Sequence, residues 1–247
     1  MAMKGISDHF SLDNAVRESQ TLLSNHTDPA RCDRDAAIPN WVLSQCRGVA
    51  FLFTYKVGVF ASASGGSGIL IAKKPGTQEW GLPVAIGLGG IGGGFDFGVS
   101  RAYQIMVLNS DDAVRNFCQE NVKLGASVGV AAGPVGRQAE GSASMAVGEN
   151  GKHPVGAFTY GYSKGLFAGA GVQGMWVSSN DAENKRFYGL TRDASATDCI
   201  FGNALDGCKP TNDISALQQS LAAVAAAVPG AGPTPNNFEK PPAEVTV

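Results

Sequence analysis

The sequence predicts an α+β, strand-dominated domain: strongly curved antiparallel sheets or a barrel-like core, flanked by N- and C-terminal helices. Three observations carry this. Apolar residues recur at helical spacing towards the two ends of the chain and at alternate positions through its middle. Glycine is abundant, 33 of 247 residues, without a fixed period. Strand-like stretches often place Gly, Ala or Ser along one face, which lets another layer approach closely or lets a sheet coil. Finally, 44% of residues are hydrophobic and only 16% charged, the composition of a packed chain rather than a disordered one.

Leu12, Ala15, Val16, Ser19, Leu22 and Leu23 share one helical face, with Ser11 placed to cap it and Asp28-Pro29 to end it. Pro39 suits the first position of a short helix over 39–46. From Gly48 the period falls to two: Val49, Phe51, Phe53, Tyr55, Val57 and Val59 alternate with smaller or polar residues. Residues 64–68, SGGSG, read as a turn cluster. Ile69, Leu70 and Ile71 form a strand core, and Lys73-Lys74-Pro75-Gly76 turns the chain again. Over 94–109, Phe95, Phe97, Val99, Tyr103, Ile105 and Val107 share a face that only Arg101 interrupts. Ser110-Asp111-Asp112 opens a helix to Gln119. Strand patterns return at 124–132, 137–147, 155–162 and 166–177. Short helices follow at 180–188 and 197–202. Ile214, Leu217, Leu221, Val224 and Val228 then mark an Ala-rich amphipathic helix. Helices, a run of strands, then helices is an α+β order rather than alternating βαβ. The expected organisation is a flexible 1–9, a domain over 10–205, a helical region over 206–228 and a disordered Pro/Gly-rich tail over 229–247.

The formal net charge of −2 lacks the basic surplus that phosphate neutralisation demands, so no nucleic-acid partner is expected. No apolar run reaches the length of a transmembrane segment, and the first residues carry no signal-peptide core, which points to the cytoplasm. The five cysteines, Cys32, Cys46, Cys118, Cys199 and Cys208, have irregular spacing without a CxxC pair. They read as free buried thiols rather than a disulfide framework or zinc site. No cofactor is implied.

Two strings mimic catalytic motifs. Residues 161–165, GYSKG, match the GxSxG nucleophile elbow, but all three histidines (His9, His26 and His153) precede Ser163, and the following residues alternate like a strand. Residues 87–92, GLGGIG, match GxGxxG, but strand-like GFDF follows where a dinucleotide fold needs a helix. A hairpin turn and a glycine-rich bend between strands are the readings adopted. No enzyme activity is expected.

Six strings in register carry a resemblance: IPNWVLSQCRGVAFLFTYKVGV (38–59), the run from GGSGILIAKKPG to GGGFDFG (65–98), VLNS (107–110), LGASVGVAAGPVGRQAEG (124–141), YSKGLFAGAGVQG (162–174) and NKRFYG (184–189). Together they resemble the SYLF domain, also called the Las17-binding-protein or actin-regulator domain, over about residues 10–205. The resemblance implies a non-enzymatic adaptor that binds acidic phospholipids (phosphoinositides) and actin, acts in endocytosis or membrane remodelling, and sits peripherally at membranes or cortical actin. Members often carry a Src-homology-3 or FYVE domain beside it. Lipid binding in the family is assigned to a basic amphipathic first helix. Here that helix carries Asp13, Arg17 and Glu18, and Ser64 stands where an Arg usually precedes the GGSG string. The candidate lipid-contacting residues are Lys4, Phe10, Leu12, Arg17, Lys56, Lys73, Lys74, Arg137 and Lys164, with Lys73-Lys74 expected on an exposed basic turn suited to lipid phosphate or acidic protein. The alternative is a binder or carrier of a small apolar ligand or lipid within the β-rich core, lined by Phe95, Phe97 and Tyr103.

Overall fold

Two apolar runs, 49–53 and 69–72, leave no polar face at all, and every one of their residues is buried. A strand with that pattern must be covered on both sides. The computed structural model describes residues 11–28, 38–118, 122–133, 146–147, 154–155 and 157–227. It places both runs in one long strand, β1 (Gly48–Ala72). Helices α1 (Leu12–Thr27) and α2 (Asn40–Gln45) precede it. Strand β2 (Val84–Leu108) returns beside β1 as a hairpin, followed by α3 (Asp111–Phe117). Then come β3 (Val122–Gly133), the two-residue strands β4 (Ala146–Val147) and β5 (Pro154–Val155), and β6 (Ala157–Ser179). Helices α4 (Asp181–Tyr188), α5 (Ala196–Phe201) and α6 (Asn212–Ala226) complete the described chain.

The strands form one six-stranded antiparallel sheet in the order β1-β2-β6-β3-β4-β5. The α+β class is therefore as expected, but the barrel-like core is not. The order is an open row with β1 and β5 at its edges, and among the described residues no pairing joins those edges. The predicted helices all form close to their expected limits. Ser11 and Ser110 each accept an amide N–H at a helix start, as expected, and Ser195 and Thr211 do the same at α5 and α6.

Residue parity assigns the two faces. Even positions of the hairpin, among them Ala50, Leu52, Leu70, Ile86, Leu88 and Met106, pack with Phe117 and Val114 of α3, Ala196 and Cys199 of α5, and Leu205. Odd positions, among them Val49, Phe51, Phe53, Ile69, Ile105 and Val107, pack with Leu12, Val16 and Leu23 of α1, Leu43 of α2, and Leu217 and Leu221 of α6. Alternation of side chains along a strand requires this split. The helical region expected as separate, 206–228, thus supplies core residues through α6. Helix α4 sits between the covers. Asn184, fully buried, accepts the Ala85 N–H through Oδ1 at 2.7 Å, and the Tyr188 hydroxyl donates to the Pro83 carbonyl at 2.5 Å.

The glycine strings differ from expectation. SGGSG lies inside β1, GLGGIG inside β2 and GYSKG inside β6, where the two strands expected on either side of it are one. Close approach explains the glycines. The two ends of β1 lie together, with the Lys73 N–H donating to the Arg47 carbonyl at 2.8 Å. A Cβ at Gly66 would collide with the Phe53 carbonyl oxygen. On β2, a Cβ at Gly89 would lie 2.5 Å from the indole ring of Trp176, its partner on β6. Glycine here clears room for a neighbouring backbone or ring rather than turning the chain.

Candidate functional site

The basic turn expected to meet a partner joins β1 to β2, and Gly76 turns it with φ +72°. Its two lysines part company. Lys73 is 4% exposed. Its Nζ donates to the Ser44 carbonyl at 3.1 Å and to Gln78 Oε1 at 2.8 Å, and lies 5.5 Å from the Trp80 ring centre. The ammonium thereby caps the Ser44 carbonyl at the end of α2, where a helix dipole favours positive charge. Burial pushes its pKa below the usual lysine value; Cys46 opposes and Arg47 adds to that fall. The exposed pair is thus corrected to a single exposed lysine: Lys73 is a structural peg. Lys74 is open to solvent and pairs with Glu79 at 3.0 Å. An exposed pair of that kind is worth less than about 1 kcal/mol and yields readily to a partner. Arg47 braces the turn, donating from Nη1 to the Thr77 carbonyl at 2.9 Å and pairing through Nε with Asp111 at 2.8 Å.

The first helix presents its apolar face inward. Leu12 is 1% exposed and belongs to the odd-face core, so it is not a lipid-facing residue in this arrangement. Arg17 is exposed and pairs with Asp213 of α6 at 2.8 Å. Further contacts fasten α1. The Leu12 N–H donates to Glu183 Oε1 at 2.6 Å. Arg186, which holds Glu183 at 2.7 Å, also reaches Asp13 at 3.5 Å. Glu18 accepts from Arg101 Nη2 through both carboxylate oxygens at 2.7 Å. The Arg101 guanidinium sits 4.9 Å from the Tyr55 ring and 4.7 Å from the Tyr103 ring, with its Nε buried and unpartnered.

Of the remaining candidates, Lys56 is half-buried on β1. Lys164 stands opposite Arg101 in the β2–β6 ladder. Lys4, Phe10 and Arg137 lie outside the described residues, as do the expected flexible start and the Pro/Gly-rich tail. The structure therefore gathers Arg17 and Leu12 on one helix and Lys73 and Lys74 on one turn. It builds no single basic patch from the described candidates. Tyr103 meets Phe53 edge-on at 6.1 Å and contacts Arg101, so it is core packing rather than cavity lining.

Three features escaped the sequence reading. The first is the Glu18–Arg101 clip, whose only signal was the charge breaking the apolar face of 94–109. The second is exposure of large apolar side chains at Val57 (55%), Ile91 (68%) and Trp176 (39%). Parity and register put all three on the odd face, beyond the reach of its helices. The third is an open groove of about 950 Å³ between the β1–β2 turn, the segment after α5 and the side of α6. Lys74, Trp80, Leu205 and Gln218 are among its lining residues. It lies at the surface, outside the sheet core. Among the described residues no helix is long and apolar enough to cross a membrane, and no group of three or more His, Cys, Asp or Glu is placed to hold a metal ion.

Comparison with known proteins gives a consistent answer. Residues 89–224 match the family model described as Ysc84, Las17-binding protein actin regulator. The human protein named SH3 domain-containing YSC84-like protein 1 is 34% identical over 195 residues, covering 78% of this chain and 54% of that protein. The Bos taurus protein of the same name is 35% identical with the same coverage. Protein YSC84 of Saccharomyces cerevisiae is 37% identical over 182 residues, 72% of this chain and 38% of that protein. The chain spans about half the length of the animal relatives it matches. No solved structure matches it significantly.

Proposed function

The chain belongs to the Ysc84 family of Las17-binding-protein actin regulators, and on that premise we propose that it is a non-enzymatic, actin-associated adaptor module. The family match over 89–224 carries this reading, because it spans most of β2, all of β3 and β6, and the helices from α3 to α6. Relatives named as YSC84-like, YSC84 and LAS seventeen-binding protein 3 support it. Lys74 on the β1–β2 turn is the contact we assign to an acidic partner surface, since its exposed ion pair costs little to exchange. Co-sedimentation with filamentous actin tests this. The purified chain should pellet saturably with filaments, and Lys74→Glu should weaken binding several-fold while leaving the thermal midpoint unchanged. Failure to pellet at any ionic strength would remove the direct actin contact.

Peripheral contact with acidic phospholipids, in endocytosis or membrane remodelling, is the finer part of the proposal. With the apolar face of α1 packed on the sheet, it rests on basic residues: Lys56, Lys74 and Lys164, joined by Lys4 and Arg137. Such binding would be salt-sensitive, each lysine near an anionic surface adding about 1 kcal/mol. Flotation with phosphoinositide vesicles at low and physiological salt checks it. Equal recovery on neutral vesicles would argue against it.

A further inference from the structure

Cys199 of α5 is 7% exposed and belongs to the even-face core, and half-buried Cys208 packs against the same cluster. Both line the groove beside the β1–β2 turn. The chain between them doubles back: the N–H groups of Gly202 and Ala204 both donate to the Asp198 carbonyl, at 3.1 and 3.4 Å. Gly207 then turns with φ +82°, and the Cys208 N–H donates to the Leu205 carbonyl at 3.0 Å. The two thiols lie within electrostatic range of each other and of the Tyr188 hydroxyl. Cys118, 4% exposed, belongs to the same core and does not line the groove.

We propose that Cys199 and Cys208 are a redox-active pair that closes a reversible intramolecular disulfide when the chain meets a small-molecule disulfide. Oxidised glutathione is the probe of that class. The Cys208 thiolate, on the more exposed side, attacks one sulfur of the probe and expels one glutathione thiolate. Cys199 then gives up its proton to water. Its thiolate attacks Cys208 Sγ, forming the Cys199–Cys208 bond and expelling the second glutathione thiolate. Two protein thiols are oxidised and one small disulfide is reduced to two thiols, so no further oxidant is needed. Gly202, Asn203, Asp206 and Gly207, half of the residues between the cysteines, are exposed, and it is there that the turn can move to reach disulfide geometry. Burial pushes the Cys199 thiol up to about 12, so the second step is the slow one and the mixed disulfide builds up transiently. The bond would tie α5 to the turn before α6 and fix one wall of the groove. It does not depend on the adaptor reading.

The test is timed exposure of the full chain to oxidised glutathione, followed by alkylation, intact mass and peptide mapping. The expected result is a transient adduct on Cys208, then a product with three of the five cysteines still alkylated. A peptide linking Cys199 to Cys208 should be present and should vanish on reduction. Cys208→Ser should abolish that link, and Cys208 is exposed enough for the variant to fold, which circular dichroism checks. No reaction, a stable adduct on Cys208 that never resolves, or a link that joins either cysteine to Cys32, Cys46 or Cys118 would each overturn the proposal.

Discussion

The two faces of the sheet are covered by different chemistry. The even face is closed by α3, α5 and the segment leading to Leu205, with Phe117 and the thiols Cys118 and Cys199 in its core. The odd face is closed by α1, α2 and α6, and its lid is held at the margin by charge: Glu18 to Arg101, Arg17 to Asp213, Arg186 to Asp13, and Glu183 to the start of α1. The even-face cover rests mainly on apolar contact, with an ion pair from Arg47 to Asp111 of α3. The cover that joins α1 to α6, nearly two hundred residues apart, gains orientation from several such contacts. The comparison teaches which perturbation should reach which side.

The largest effects should come from emptying either core. Phe117→Ala on the even face should cost about 3–5 kcal/mol, and Leu217→Ala on the odd face about 2–5 kcal/mol. Urea unfolding followed by far-ultraviolet circular dichroism measures both. Because β1 and β2 give alternate residues to the two sides, each variant should still unfold in one transition. Two transitions in either variant would break the comparison, making the covers independent units. Gly66→Ala addresses the strand they share. Its new methyl would meet the Phe53 carbonyl, so overpacking of about 1–3 kcal/mol is expected. Hydrogen exchange should quicken in α1 and α3 together, since the displaced backbone carries side chains to both faces.

A smaller effect should be confined to one side. Removing the carboxylate in Glu18→Ala leaves Arg101, whose side chain is 26% exposed, with its head group between two tyrosine rings and without an anion. The cost should be about 1 kcal/mol, as for other partly exposed charged hydrogen bonds. Exchange should quicken in α1 and stay unchanged in α3. Equal quickening in both would mean that the clip stabilises the whole sheet rather than its lid.

How much of this could be read beforehand follows from the same physics. Helices were legible because caps and a 3.6-residue period are local: Ser11 and Ser110 announce their own helices. Strand faces were legible as alternation: the odd positions over 49–53 and 103–107 do share a face. The glycine strings misled because a turn glycine and a close-approach glycine look alike in sequence. What distinguishes Gly66 is Phe53, and what distinguishes Gly89 is Trp176, both remote along the chain. Lys73 and Lys74 are chemically the same, and only the position of the α2 end separates the buried peg from the exposed charge. The exposed basic pair was therefore the least legible part of the candidate site. The helix-to-sheet clip at Arg101 was half-visible, as a charge where an apolar residue was due.

Acid should separate the two covers without any mutation. His26, 4% exposed near the end of α1, has its pKa pushed down by burial, which outweighs the hydrogen bond to the Leu22 carbonyl. A depressed histidine pKa means that the fold prefers the neutral ring. Stability is then complete above the unfolded value of about 6.5 and is lost as the pH falls from there through the folded value. At Glu183 burial alone would raise the pKa. The Arg186 hydrogen bond, the Leu12 N–H and the Arg186 charge together bring it below the ordinary carboxylate range. Its stability is present above about pH 4.3 and is lost as the pH falls through the lower folded value. Both groups touch α1. The even-face thiols respond at the other end of the scale: burial pushes Cys118 and Cys199 up to about 12, so they stay neutral throughout this range. Between about pH 6.5 and 5 the urea midpoint should therefore fall, and limited proteolysis should cut α1 before α3. His26→Gln should flatten that part of the profile and leave the Glu183 limb below it. A wild-type profile that is flat across the interval, or a slope that survives His26→Gln, would show that the odd-face lid does not carry the acid response.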